Sequence, residues 1–159
     1  MKPIATYSAD FAEVARAFCS WCEATPSEHS DSQAAYWFSR LYAQALLLPL
    51  TEPENESGLP ELPAKALAMA TKNLAAFSGR YYRVVFDPDP LLEEEPVTGD
   101  IGDDLLDTYK DLRAGLVLFD LGETKEALWH WSFLHRIHWG RHVVGAMYAL
   151  HCLSISKEA

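Results

Sequence analysis

Three histidines, His135, His138 and His142, recur at spacings of three and four near the C-terminal end of the chain. On a helix turning about 100° per residue they fall within about 60° of one another. Imidazoles on adjacent turns could meet one divalent cation, with a carboxylate completing the shell. Such carboxylates exist upstream: Asp100, Asp103, Asp104, Asp107 and Asp111 share one helical face about 100° wide. Neither His-Glu-x-x-His nor Glu-x-x-His occurs, so the spacing permits a metal without being diagnostic of one. The alternatives are partly buried histidines that donate hydrogen bonds to carbonyls or to those aspartates, and histidines that do acid/base work.

The aspartates have a plainer reading too. Leu105, Tyr109, Leu112, Leu116 and Phe119 lie opposite them, which describes an amphipathic helix with an acidic outer side. Acids in the first turn also favour the helix dipole. Cys19-Ser-Trp-Cys22 is a C-x-x-C, but no strand precedes it and no second pair exists, so packed, reduced thiols are expected. No Gly-x-Ser-x-Gly elbow, phosphate loop or dinucleotide fingerprint occurs, leaving nucleophilic catalysis without an anchor.

The elements that must position these groups follow from periodicity and punctuation. A first helix is expected to open at Ser8 and carry Phe11, Val14, Ala15, Phe18 and Cys22 inward, stopping before Pro26. A second starts at Ser30, with Gln33 in capping-box position, and ends before Pro49. An acidic, proline-rich loop over residues 50–63 leads to a third helix from about Ala64, closed by Gly79. The run Arg80 to Phe86 has strand-forming residue types, but no partner strand is evident, so a short helical turn is expected. A second acidic loop extends from Asp87 to Gly99.

A fourth helix is expected from about Asp100 to Leu121, stopped by Gly122. A fifth would run from Thr124 to about Ile155, apolar on two sides and therefore central in the bundle. Gly140 and Gly145 lie inside it and imply a bend or close packing against a neighbour. The expected fold is an all-α, single-domain bundle of about five main helices over residues 8–155, with two acidic loops.

Charge and composition narrow the function classes. The 159 residues carry 13 basic against 23 acidic side chains, a net charge of −10, which disfavours nucleic acid and anionic membranes as partners. Apolar residues make up 49%, enough for a core without metal or disulfide support. The absence of a signal-like N-terminus or a membrane-length apolar run, with the odd count of 3 cysteines, gives a cytoplasmic expectation.

Several segments together resemble a bacterial family of unknown function, domain of unknown function 5063. They are Phe11 to Cys19, Leu41 to Pro49, Val85-Phe-Asp87, Ile101 to Leu112, Trp139-Gly140 and Ala149-Leu-His151. The resemblance implies a helical domain and no particular activity. It implies that Asp103, Asp104, Asp107 and Asp111 belong to the family pattern, which speaks against a merely solvated acidic face. The pattern holds Trp139-Gly140 without demanding flanking histidines, which speaks against a three-histidine metal site.

The expectation for the site is a polar cluster in which Asp104, Asp107 or Asp111 pairs with His138, Arg141 or His142, registering two helices. The expected function is a non-catalytic interaction domain for a basic protein partner or for self-association. A metal-dependent enzyme or metal-binding protein built on His135, His138 and His142 is the alternative; apart from such a metal, no cofactor is expected. A small-ligand pocket lined by Tyr109 and Trp131 is a third reading.

Overall fold

Caps and glycine stops divide the chain much as the periodicity indicates. The computed structural model describes residues 4–25, 29–54 and 60–156. The first three residues, the Pro26 stop and residues 55–59 of the first acidic loop lie outside the described residues. Helix α1 spans Ile4–Glu23, α2 Asp31–Ala45 and α3 Ala64–Leu74, which continues as a 3-10 turn over Ala75–Phe77. Strands β1 (Tyr81–Val84) and β2 (Val97–Asp100) precede α4 (Ile101–Asp120), α5 (Thr124–Ile137) and α6 (Trp139–Ser156). The fold is mostly helical with a small two-stranded sheet, so the strictly all-α expectation is corrected.

Local chemistry accounts for the boundaries. Ser30 Oγ accepts from Gln33 N at 3.2 Å while Gln33 Oε1 accepts from Ser30 N at 3.1 Å, the reciprocal box that starts α2. Asp100 caps α4 by accepting from Gly102 N at 2.8 Å, and its other oxygen accepts from Gly79 N at 2.7 Å. Gly79 and Gly122 have φ of 77° and 84°, a left-handed conformation that a side chain would strain. Ser8 is buried within α1, which begins at Ile4, and so does not open the helix as expected.

Two expectations about backbone course are overturned. Arg80 to Phe86 is not a helical turn: β1 pairs antiparallel with β2 in the register Tyr81↔Asp100, Tyr82↔Gly99, Arg83↔Thr98 and Val84↔Val97. The missing partner was hidden in what reads as the end of an acidic loop, because Val97-Thr98-Gly99 is too short to show alternation. The long C-terminal helix is broken at His138, which adopts φ −138° and ψ −91° and closes α5. A Cβ at Gly140 would lie 2.1 Å from the His135 carbonyl oxygen, so only glycine fits just after the break.

One continuous core draws on all six helices. Helix α4 sits at its centre, burying Ile101, Leu105, Tyr109, Leu112 and Leu116 and touching α1, α3, α5 and α6. Each such side chain removed from water contributes about 1.5–3 kcal/mol. The expected central role of a fifth helix thus passes to α4, because the C-terminal segment is divided into α5 and α6 and both pack on α4. Cys19 and Cys22 are packed in this core as free thiols, and burial pushes both well above the usual thiol range. Cys152 is an exposed free thiol.

Candidate functional site

Spacings of three and four place Asp104, Asp107 and Asp111 along one side of α4, and that side faces α6. The acidic row is therefore a seam between helices. The Asp104 side chain is only 6% exposed and Asp111 15%, whereas Asp107 is 33% exposed and opens to solvent. Asp103, one residue off this row, is exposed.

Two aspartate–histidine pairs close the seam. His142 Nδ1 lies 2.7 Å from Asp104 Oδ1, and His138 Nδ1 lies 2.6 Å from Asp111 Oδ2. A carboxylate can only accept, so in each pair the ring Nδ1–H donates, which leaves Nε2 as the second ring position. The two imidazoles meet edge to face with centroids 4.8 Å apart. The hydrogen bond to Asp104 holds His142 above the ordinary histidine range, opposed by burial and aided by the charges of Asp104, Asp107 and Asp111.

Asp104 has a second partner that the sequence did not suggest. Tyr82 on β1 donates its hydroxyl to Asp104 Oδ2 at 2.6 Å. Burial, followed by that bond, keeps the phenol far above its usual range. Two glycines make the slot: a Cβ at Gly99 would lie 2.6 Å from Tyr82 Cζ, and one at Gly145 2.7 Å from its hydroxyl. Gly145 was the available signal, since its presence inside a helix called for a close neighbour.

The remaining expected members are placed elsewhere. Asp107 Oδ1 accepts from Lys110 Nζ at 2.9 Å, and one oxygen of Asp107 with one nitrogen each of His138 and His142 forms a group within 4.8 Å. Arg141 does not join the aspartates; its guanidinium lies 6.0 Å from the centre of the Phe86 ring. His135 is separated from His138 and His142 by the helix break, and packs on Tyr42 and Trp139 at centroid distances of 5.0 and 4.7 Å. Its pKa is lowered by burial. The three-histidine metal set is therefore corrected: a helical phase argument fails where the backbone leaves the helix.

The ligand-pocket reading fails on packing. Tyr109 and Trp131 are fully buried; the Tyr109 hydroxyl donates to Glu23 Oε1 at 2.9 Å, and the Trp131 indole to the Leu112 carbonyl at 3.2 Å. Trp131 fills the space above Gly115, so these rings are core rather than the lining of a cavity. Arg113 Nε, 3.4 Å from Glu23 Oε1, completes a second polar cluster that joins α1 to α4 and that sequence reading passed over. His130, also missed, lies 3.0 Å through Nε2 from the Asp111 carbonyl oxygen, and burial lowers its pKa.

No helix among the described residues is long and apolar enough to cross a membrane. The crystal structure of protein BF1032 from Bacteroides fragilis is similar in fold, with a TM-score of 0.66 and 24% identity over 91% of this chain and 93% of that one. Among curated proteins none matches the chain. The model of the family described as "Domain of unknown function (DUF5063)" matches residues 4–156. With nearly its whole length matched in this way, the chain belongs to the DUF5063 family.

Proposed function

We propose that this protein is a non-catalytic interaction domain that engages a basic protein partner through its β1–β2 hairpin. The observation that carries this reading is the hairpin's apolar display. Tyr81 is 71% exposed, Phe86 56%, Leu91 88% and Leu92 53%, and they stand among Asp87, Asp89, Glu93, Glu94 and Glu95. Exposed apolar side chains along one hairpin, interspersed with acids, suit a contact surface.

The connecting loop is shaped by its own acids. Glu94 accepts from the backbone N–H groups of Phe86 at 3.0 Å and Asp87 at 2.8 Å. Asp87 accepts from Asp89 N at 3.0 Å, and Asp89 from Leu91 N at 2.9 Å. Carboxylates that cap their own loop hold the leucines in a fixed presentation and lower the ordering cost of binding. The net charge of −10 favours a partner whose apolar pocket has a basic rim and disfavours nucleic acid. The free thiols Cys19, Cys22 and Cys152 suit a reducing compartment such as the cytoplasm.

The test compares the native chain with a Leu91→Ser, Leu92→Ser double variant as bait, followed by mass spectrometry. A partner retained by the native chain, lost by the variant and released by added salt is expected. Identical recoveries from both baits would overturn the reading. Concentration-dependent sedimentation of the native chain alone, abolished in the variant, would replace it with self-association.

A further inference from the structure

We propose that Asp107, His138 and His142 form a binding site for a transition-metal dication of the zinc or cobalt type, independent of the hairpin surface. One ligand atom from each lies within 4.8 Å of the others. Two imidazole nitrogens and one carboxylate oxygen form a borderline donor set that suits zinc, cobalt, nickel or ferrous iron better than magnesium or calcium. Asp107 comes from α4, His138 from the α5–α6 junction and His142 from α6, so the site exists only in the folded chain.

The surroundings resemble those of histidines prepared for a metal. A ligating imidazole ordinarily donates its other ring N–H to a carboxylate, which fixes the ring and raises the basicity of the ligating nitrogen. Asp111 and Asp104 hold His138 and His142 in that manner through Nδ1, at 2.6 and 2.7 Å. Tyr82 in turn anchors Asp104 at 2.6 Å. Each imidazole therefore has its own carboxylate support, and Asp107 stands between the two supporting residues on the same helix as the third donor.

Bond lengths of about 2.0–2.2 Å in a tetrahedral shell place donors about 3.3–3.6 Å apart, so the group contracts on binding. Asp107 and His138 can make that adjustment, because their side chains are 33% and 44% exposed. Lys110, 2.9 Å from Asp107 Oδ1, occupies one oxygen of the carboxylate and leaves the other for the ion. The fourth position belongs to water or to an external ligand.

The experiment uses the full chain without a histidine tag, stripped with a chelator and held reduced at mildly alkaline pH, where imidazoles are neutral. Zn²⁺ is titrated by calorimetry, and Co²⁺ by its visible absorption, which reports tetrahedral coordination. One equivalent is expected to bind, with affinity falling more than about tenfold in Asp107→Asn and in His138→Gln and unchanged in Cys152→Ser. Circular dichroism checks each variant's helix content; should His138→Gln unfold, Asp107→Asn carries the test from a partly exposed position. Lack of stoichiometric binding, binding that survives both substitutions, or binding lost with Cys152→Ser would overturn the assignment.

Discussion

Tyr82 of the hairpin donates its hydroxyl to Asp104 of the central helix at 2.6 Å, across a slot that Gly99 and Gly145 leave open. This bond ties β1 to α4, and the same carboxylate receives His142 from α6, so three elements converge on a single buried acid.

Removing only the hydroxyl isolates that attachment. Tyr82→Phe keeps the ring and should lower unfolding free energy by about 1.5–3 kcal/mol, the range for a hydrogen bond to a charged group. Urea denaturation followed by circular dichroism measures it. A loss of a few tenths of a kcal/mol would show that this hydroxyl adds little to the attachment of the hairpin.

Loss of the acid itself should cost more. Asp104→Ala strands the Tyr82 hydroxyl and the His142 Nδ1 in a seam where the carboxylate was only 6% exposed. Breaking a buried, hydrogen-bonded pair typically costs about 3–5 kcal/mol. The double variant Asp104→Ala, Tyr82→Phe should be less destabilised than the sum of the two single changes, and a double-mutant cycle reads that coupling.

Gly115→Ala tests the packing of α4 on α5. An added Cβ would lie 2.0 Å from Trp131 Nε1, and that indole is fully buried and bonded to the Leu112 carbonyl. Overpacking of this kind costs about 1–3 kcal/mol, which at a rigid, fully buried indole outweighs the roughly 1 kcal/mol that better helix propensity would return. Thermal unfolding should show a lower Tm together with altered tryptophan fluorescence.

Acid should weaken the fold through His130. Its folded pKa lies below the ordinary 6.5, chiefly because of burial, while the bond to the Asp111 carbonyl and the charges of Asp111 and Glu126 pull the other way. Below 6.5 the unfolded chain takes up a proton that the folded chain refuses, so this contribution is present above that pH and lost as pH falls through the depressed value. Stability measured from pH 7.5 to pH 5 should therefore decline less steeply in His130→Gln than in the native chain. Equal slopes would show that His130 is freely protonated in the fold.

Helices were legible where their signals are local. The Ser30/Gln33 box, the Asp100 start, the Gly79 and Gly122 stops and the apolar row from Leu105 to Leu116 all depend on residues within a turn of one another. Pairing of the α4 aspartates with His138 and His142 was legible as a set of candidates, because both rows have helical spacing. Which acid meets which imidazole depends on the crossing of α4 and α6, and no local pattern encodes it.

What the sequence by itself determined was a mostly helical chain with an acidic balance, free thiols and carboxylates and imidazoles in register. Tertiary structure alone decided three matters: that Val97–Asp100 pairs with Tyr81–Val84, that the chain leaves the helix at His138, and that Tyr82 reaches Asp104. The physical reason is common to all three. Each outcome depends on contacts between segments distant in sequence, or on the close approach of Gly140 to the His135 carbonyl, and such contacts outweigh the propensity of about 1 kcal/mol or less per residue that a local reading can weigh.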